Sequence, residues 1–127
     1  MIVAGFGFRA AATPASLRDA LTRAAGGRAV RPERLATLAA KADAACMRGF
    51  AREAGVPVVA ISRAQAVDQA TLTRSPAALA AHGTGSVAES CALAAAGPGA
   101  RLLGPRAVSG DAMATCALAA SPPEGGN

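Results

Sequence analysis

The stretch VPVVAI at residues 56–61 decides the fold class. It is a continuous apolar run rich in β-branched Val and Ile, and such runs are typical of strands that are buried on both faces of a sheet. Gly55 directly precedes the run and is suited to end a helix. A helix that leads straight into a buried strand predicts a layered α/β protein.

Upstream of this strand, residues 32–55 admit two interpretations. Ala, Leu, Glu, Arg and Lys dominate the range, so helix propensity favours one long helix. Alternatively, residues 35–40 form a buried strand, and Asp43 caps a helix that begins at Ala44. Propensity alone leaves both interpretations open.

The N-terminal segment repeats the strand-then-helix pattern. Residues 1–6 are apolar and predict a buried strand. Thr13 or Ser16 is suited to cap the helix that follows, because the apolar residues of 17–25 recur at helical spacing.

The second half of the chain continues the alternation and ends in a segment rich in Pro and Gly. We expect a loop at 71–75 and a disordered tail at 121–127. The other predicted elements are a helical turn at 63–68, a helix at 87–96, a short strand at 101–103, and a strand or helix at 112–119. The pattern predicts one α/β domain over residues 1–120, with helices that cover a mostly parallel or mixed sheet.

The charge balance favours an anionic partner. The chain carries a net charge of +5, and Lys41 is the single lysine among 13 basic residues. Arginine suits carboxylate and phosphate groups, although GC-rich codon usage also enriches arginine. Tyr and Trp are absent and no nucleic-acid motif is visible, so an acidic small molecule fits better than nucleic acid.

The cysteines predict neither a disulfide framework nor a metal site. Cys46, Cys91 and Cys116 are odd in number and far apart, with no Cys-x-x-Cys or Cys/His pair. We expect buried free thiols in a cytoplasmic protein, with no metal and no cofactor. No signal peptide and no membrane span are predicted.

The segment GTGSVAE at residues 83–89 carries the strongest motif. Glycines allow a ligand to approach the backbone, and the first amides of a helix that starts after Ser86 attract negative charge. Thr84, Gly85 and Ser86 are therefore candidate ligand-binding residues. The competing interpretation is an ordinary capping box, in which Glu89 folds back on the Ser86 cap.

Four further positions are candidates. Gly5 and Gly7 predict a glycine turn after the first strand, where α/β sheets commonly bind ligands. Arg9 either clamps a carboxylate or is a solvated arginine beside a tight turn. The segment lacks the third glycine of a dinucleotide site. Lys41 is either a donor to an acidic ligand or half of a surface ion pair with Asp43.

His82 and Arg106 complete the set of candidates. His82 is the single histidine and stands beside the glycine-rich segment, so it is a candidate general acid or base, and a loop histidine without a catalytic role is the alternative. Arg106 is a further cation, for which a plain surface position is the alternative.

Taken together, these motifs resemble the CobE family, which is also the C-terminal domain of CbiG cobalamin-biosynthesis proteins. TGSVAESCAL at 84–93 is similar to the most specific family motif. Ala44 is a departure, because the family often has an acidic residue at this position. Arg106 stands where the family often has lysine. The other matching stretches are VAGFGFR at 3–9, LAAKAD at 38–43, GVPVV at 55–59, ARLL at 100–103, and residues 112–119.

The resemblance implies a fold and a pathway. The fold is a three-layer α/β/α sandwich with a mixed, mostly parallel sheet of about five strands. The pathway is corrin-ring assembly, in which full-length CbiG proteins open a precorrin lactone and release acetaldehyde. Corrin precursors carry many carboxylates, which Gly5, Gly7, Arg9, Lys41 and Arg106 would suit together with residues 84–86.

Three hypotheses follow, and they leave open whether the chain is an enzyme. First, the protein holds a precorrin or hydrogenobyrinic-acid-type intermediate and hands it on. Second, it hydrolyses a precorrin lactone, with Glu89 or His82 moving protons. Third, it is a non-catalytic subunit that associates with other cobalamin-biosynthesis enzymes. A homo-oligomer is possible in each case, and neither nucleic acid nor a membrane is an expected partner.

Overall fold

The computed structural model describes residues 1–122, which form a six-stranded sheet and five α-helices. The strands are β1 (Ile2–Phe8), β2 (Arg34–Leu38), β3 (Val58–Ile61), β4 (Arg101–Leu102), β5 (Ala107–Val108) and β6 (Ala114–Ala120). The helices are α1 (Pro14–Ala25), α2 (Ala45–Ala54), α3 (Arg63–Val67), α4 (Pro76–His82) and α5 (Val87–Ala96), with a short 3₁₀ turn at Ala39–Lys41.

The sheet is mixed, and its strand order is β3-β2-β1-β6-β4. β1, β2 and β3 pair in parallel, whereas β6 is antiparallel to β1, β4 and β5. Five of the six described strands therefore run in one direction and only β6 opposes them. This confirms the mixed, mostly parallel sheet expected from the sequence.

Side chains alternate across β1, and each face of the sheet has its own core. Phe6 packs with buried residues of α1 and α2, and its ring meets Phe50 edge-on at 5.8 Å between centroids. Val3 points to the other face, where α5 supplies Cys91, Ala92 and Ala96. Because helices cover both faces, the fold is a three-layer α/β/α sandwich, as the family resemblance implied.

Three helix boundaries lie where the sequence placed them. Thr13 caps α1 and accepts a hydrogen bond from the Ser16 amide at 3.3 Å, and Gly26 ends that helix in the left-handed conformation. Gly55 ends α2 in the same way. Of the alternative strand at 35–40, residues 35–38 belong to β2 and residues 39–40 lie in the 3₁₀ turn, so the strand interpretation is confirmed for 35–38.

The predicted Asp43 cap is wrong. The residue before α2 is Ala44, which offers no side-chain acceptor. The Asp43 side chain is 95% exposed, and its carboxylate lies 3.7 Å from the Arg48 guanidinium. α2 begins at Ala45, one residue later than predicted, so Ala44 and not Asp43 occupies the capping position.

Residues 58–61 form a strand, as predicted, but the prediction that both of its faces are buried is wrong. β3 lies at the edge of the sheet, so Val58 and Val59 are only half-buried and Ala60 is exposed. A β-branched run specifies a strand, but the order of strands in space depends on the crossovers, which the run does not encode.

The predicted glycine turn at Gly5 and Gly7 is wrong as well. Both residues lie inside β1. A Cβ on Gly5 would stand 2.1 Å from the Ala88 carbonyl oxygen and 2.5 Å from the Ala92 nitrogen. Gly5 therefore allows α5 to pack directly on the strand. A Cβ on Gly7 would first meet the Thr115 hydroxyl of β6, at 3.0 Å.

Several other predicted segments agree with the structure. Residues 63–67 form the predicted helical turn, 71–75 form a loop, and 114–120 are a strand. The sequence patterns did not predict α4 and β5. Cys46, Cys91 and Cys116 are free and buried, as expected, and no helix of the described residues is long and apolar enough to cross a membrane.

The segment expected to be a tail begins beside the sheet. The Ser121 amide donates to the Met1 carbonyl oxygen at 2.9 Å, and its hydroxyl donates to the Ala96 carbonyl oxygen at 2.9 Å. Residues 123–127 lie outside the described residues.

Candidate functional site

The glycine-rich motif builds a buried polar network around the first turn of α5. Ser86 caps the helix, and its Oγ accepts from the Glu89 amide at 3.2 Å. The Thr84 and Ser90 hydroxyls bond to each other. Thr84 and Ser86 are 4% and 0% exposed, so their hydroxyls serve the protein interior.

Gly85 permits a close contact within the protein. A Cβ at this position would lie 2.3 Å from the Thr73 carbonyl oxygen. Its own carbonyl oxygen accepts from the Ser75 amide at 2.9 Å. The backbone that approaches Gly85 is therefore the 71–75 loop.

Glu89 is the centre of this network. The residue is fully buried, and its Oε1 accepts from the amides of Leu72 at 2.6 Å and Thr73 at 2.9 Å. Its Oε2 accepts from the Thr73 hydroxyl and from the Arg106 amide at 2.9 Å. The capping-box expectation is therefore half wrong: Ser86 caps the helix, but the Glu89 carboxylate points to other segments.

The environment of Glu89 keeps it ionised. Burial acts to raise its pKa, but the hydrogen bonds from Thr73, Arg106 and Leu72 outweigh burial and hold the pKa below its ordinary value of 4.5. A general acid near neutral pH needs a raised pKa and access to substrate. The Glu89 carboxylate has neither.

Lys41 lies at the carboxyl end of the parallel strands. Its Nζ donates to the Phe8 carbonyl oxygen at 3.0 Å and stands 5.1 Å from the centroid of the Phe8 ring. This contact links the segment after β2 to the end of β1. The alternative of a surface ion pair between Lys41 and Asp43 is not formed, because Asp43 pairs with Arg48.

Arg9 continues from the same strand end. Its amide donates to the Met113 carbonyl oxygen at 2.9 Å, which fixes the backbone against the loop before β6. The residue is exposed, and within residues 1–122 its guanidinium has no acceptor. Arg9 and Lys41 therefore present donors at one edge of the sheet.

The first turn of α5 adjoins this edge. A Cβ on Gly7 would lie 3.4 Å from the Val87 Cβ, so the helix begins beside the end of β1. Open α/β sheets bind ligands outside the carboxyl ends of their strands. The structure thus gathers the predicted cations and the predicted helix start at the location where such sheets bind ligands.

Arg106 and His82 lie near the same helix start. Arg106 is half-buried and is attached to Glu89 through its backbone amide. His82 is the last residue of α4 and is half-buried. In the described part of the chain, neither side chain has a hydrogen-bonding partner.

Two shallow grooves lie on the flank formed by α3, α5 and β4, and Leu72 of the 71–75 loop lines one of them. Their volumes are about 330 and 320 Å³, and both are lined by Gln69, Leu93 and Ala100. Asp68 lines one groove and Arg101 the other, so their charges nearly balance. None of the predicted ligand-binding residues lines them, and charge favours the strand edge for an anion.

Sequence reasoning missed the 71–75 loop as part of the site. Thr73 bonds Glu89, and Arg74 follows it in an exposed position. The polar run TLTRS carries no recognised motif, and its partner lies 16 residues further along the chain. The one available indication was an arginine next to hydroxyl residues in a loop.

Comparison with known proteins matches nearly the whole chain. A family model described as "Cobalamin synthesis G C-terminus" matches residues 2–119. A search of curated proteins found no match.

Two similar solved structures are also of cobalamin biosynthesis proteins. The chain is similar to CobE, a protein from the cobalamin (vitamin B12) biosynthetic pathway, with 34% identity, a TM-score of 0.83, and coverage of 94% of this chain and 89% of that one. It is similar to cobalamin biosynthesis protein chiG from Agrobacterium tumefaciens, with 33% identity, a TM-score of 0.75, and coverage of 97% and 100%.

A third structure shares the fold. A putative cobalamin biosynthesis protein G homolog from Sulfolobus solfataricus is 18% identical with a TM-score of 0.70. The alignment covers 95% of this chain but 37% of that protein.

Proposed function

The chain belongs to the CbiG C-terminal family of cobalamin biosynthesis proteins, and from that premise we propose that it binds a polycarboxylate corrin intermediate at the carboxyl edge of its sheet. The proposed ligand is a precorrin or an acid of the hydrogenobyrinic type. The proposed role is to hold this intermediate for other enzymes of the pathway.

The observation that carries the proposal is the placement of Lys41. Its ammonium group is fixed by the Phe8 carbonyl oxygen and the Phe8 ring, which leaves further N–H donors available. A fixed cation loses little side-chain freedom when an anion binds. Arg9, one residue beyond Phe8, adds a guanidinium that suits a carboxylate in bidentate fashion.

The chemistry of the ligand matches this edge. Corrin acids carry acetate and propionate carboxylates around a wide, flat ring, so an open edge with separated cations suits them better than a small enclosed cavity. The net charge of +5 attracts such polyanions from a distance. The buried residues Gly5, Thr84, Gly85 and Ser86 and the half-buried Gly7 support this edge from within the protein.

Lactone hydrolysis is not proposed. Protein donors occupy the Glu89 carboxylate, and His82 has no partner in the described residues that would orient it as a base.

The experiment is a titration of the purified protein with hydrogenobyrinic acid, followed by visible absorption. We expect binding at micromolar protein, and Arg9→Ala and Lys41→Met should each weaken it about tenfold, as for the loss of a charge-assisted hydrogen bond. Arg31→Ala is the matched control, because Arg31 is exposed and precedes β2 at the opposite end of the sheet. An absence of binding by the wild-type protein would refute the proposal and favour the non-catalytic subunit.

A further inference from the structure

One carboxylate joins two segments that are far apart in sequence. The Glu89 Oε1 accepts from the Thr73 amide, and its Oε2 accepts from the Arg106 amide. The two oxygens belong to one side chain, so the backbone at Thr73 and the backbone at Arg106 lie next to each other beside α5. Both backbone segments carry an arginine. Arg74 is the residue after Thr73, and Arg106 is the residue whose own amide donates to Glu89.

The backbone on both sides of Arg74 is fixed. Glu89 holds Thr73, and the Ser75 amide donates to the Gly85 carbonyl oxygen at 2.9 Å. A Cβ on Gly85 would come 2.9 Å from the Arg74 Cα, so this segment packs against the helix start with no space between. A short loop that is anchored at both neighbours presents its central side chain from a defined place.

The guanidinium groups of Arg74 and Arg106 form no hydrogen bond or ion pair within the described residues. In residues 1–122 neither the Arg74 nor the Arg106 side chain donates to a protein acceptor. Arg106 is half-buried, but none of its side-chain nitrogens is both buried and unpaired, so its guanidinium stays open to an incoming anion.

We propose that Glu89 is a positioning residue that holds Arg74 and Arg106 as a second carboxylate-binding pair beside the first turn of α5. This inference rests on the proposed function, since it assigns a second contact to the same ligand. Arg9 and Lys41 bind one carboxylate group at the strand ends, and Arg74 and Arg106 bind another. The ligand therefore carries at least two carboxylates on separate parts of its ring.

The test measures binding of hydrogenobyrinic acid to Arg74→Ala, Arg106→Ala, Glu89→Gln, the double variant Arg74→Ala/Arg106→Ala, and the triple variant that adds Glu89→Gln to it. We expect each single change to weaken binding about tenfold. The a,c-diamide of the same acid, which has fewer carboxylates, should bind wild type more weakly, and Arg31→Ala should bind like wild type.

The role of Glu89 is tested by comparing the effect of Glu89→Gln on binding in the presence and in the absence of Arg74 and Arg106. Removal of a negative charge would by itself favour an anion, so weaker binding by Glu89→Gln reports misplaced arginines and not altered charge. In the background that lacks Arg74 and Arg106, Glu89→Gln should have no further effect on binding. A persisting effect there would overturn the positioning role.

The remaining outcomes separate this inference from the proposed function. Full binding by Arg74→Ala and Arg106→Ala, with weak binding by Arg9→Ala and Lys41→Met, would remove the second pair and leave the proposed function standing. If Glu89→Gln fails to fold, Thr73→Val removes one of the bonds to Glu89, and it should weaken binding in the wild-type background but not in the background lacking both arginines.

Discussion

The first turn of α5 and the end of β1 lie side by side, but they use their polar groups in opposite ways. Around α5, the Thr84, Ser86 and Glu89 side chains are buried and bonded within the protein. At the end of β1, the exposed Arg9 side chain has no acceptor within residues 1–122, and Lys41 donates to the Phe8 carbonyl oxygen. The motif with the strongest sequence pattern therefore builds the structure, and the isolated cations remain available for a ligand.

This comparison predicts a separation of effects. Changes in the α5 region should lower stability, whereas changes at the end of β1 should lower ligand affinity with little effect on stability. The predictions below run from the largest expected change to the smallest.

Gly5→Ala should have the largest effect. Its Cβ would be 2.1 Å from the Ala88 carbonyl oxygen, and neither backbone can withdraw without opening the layer. We expect the free energy of unfolding to fall by about 3 kcal/mol or more, measured by urea denaturation. Gly104→Ala is the control, because a Cβ there meets no atom within 4 Å, and it should change stability by less than about 0.5 kcal/mol.

Glu89→Ala should follow in size. It leaves the amides of Leu72, Thr73 and Arg106 without their acceptor, and we expect a loss of about 3 kcal/mol at neutral pH. A loss below about 1 kcal/mol would show that water replaces the carboxylate and that the network is not essential.

The same carboxylate predicts a pH dependence. The folded-state pKa of Glu89 lies below its ordinary 4.5, so its stabilising contribution is present above that value and is lost as the pH falls through the lower folded-state pKa. The difference in stability between wild type and Glu89→Gln should be constant near neutral pH and shrink below pH 4.5. An unchanged difference across this window would contradict the assignment of an ionised Glu89.

At the end of β1, the double variant Arg9→Ala/Lys41→Met should weaken binding of hydrogenobyrinic acid about a hundredfold. Its stability should stay within about 1 kcal/mol of wild type, because only the Lys41–Phe8 contacts are lost. A large loss of stability with unchanged affinity would reverse the comparison.

Ser86→Ala should give the smallest effect. It removes the acceptor of the Glu89 amide, and loss of such a cap costs about 1 kcal/mol. Affinity for the corrin acid should stay within twofold of wild type, measured in the same titration. A loss of affinity comparable to that of Lys41→Met would show that the Ser86 hydroxyl contacts the ligand directly.

Local patterns predicted most of the fold. Thr13 and Ser86 cap helices, and Gly26 and Gly55 end them, because caps depend on a few neighbouring residues. The positions of these elements relative to one another could not be predicted from local patterns. The VPVVAI run was correctly a strand but lies at the sheet edge, and Gly5 marks helix packing from residues more than 80 positions away.

The site was predictable only in part for the same reason. Because β1 and β2 are parallel, the segments after them leave the sheet at one edge, and Lys41 contacts Phe8 there. That Arg9 and Lys41 bind a ligand at this edge stays a prediction. The partners of Glu89 could not be foreseen, because a carboxylate three residues after a serine fits a capping box as well as a long-range contact. Arg74 had no motif at all.

The most direct test of the account is an NMR titration of the ¹⁵N-labelled protein with hydrogenobyrinic acid. The account predicts that the amide signals of Arg9, Lys41 and Arg106 shift on binding, while those of Ala94, Ala100 and Leu102 in the grooves on the other flank do not. Shifts confined to the groove residues, with Arg9 and Lys41 unchanged, would contradict it.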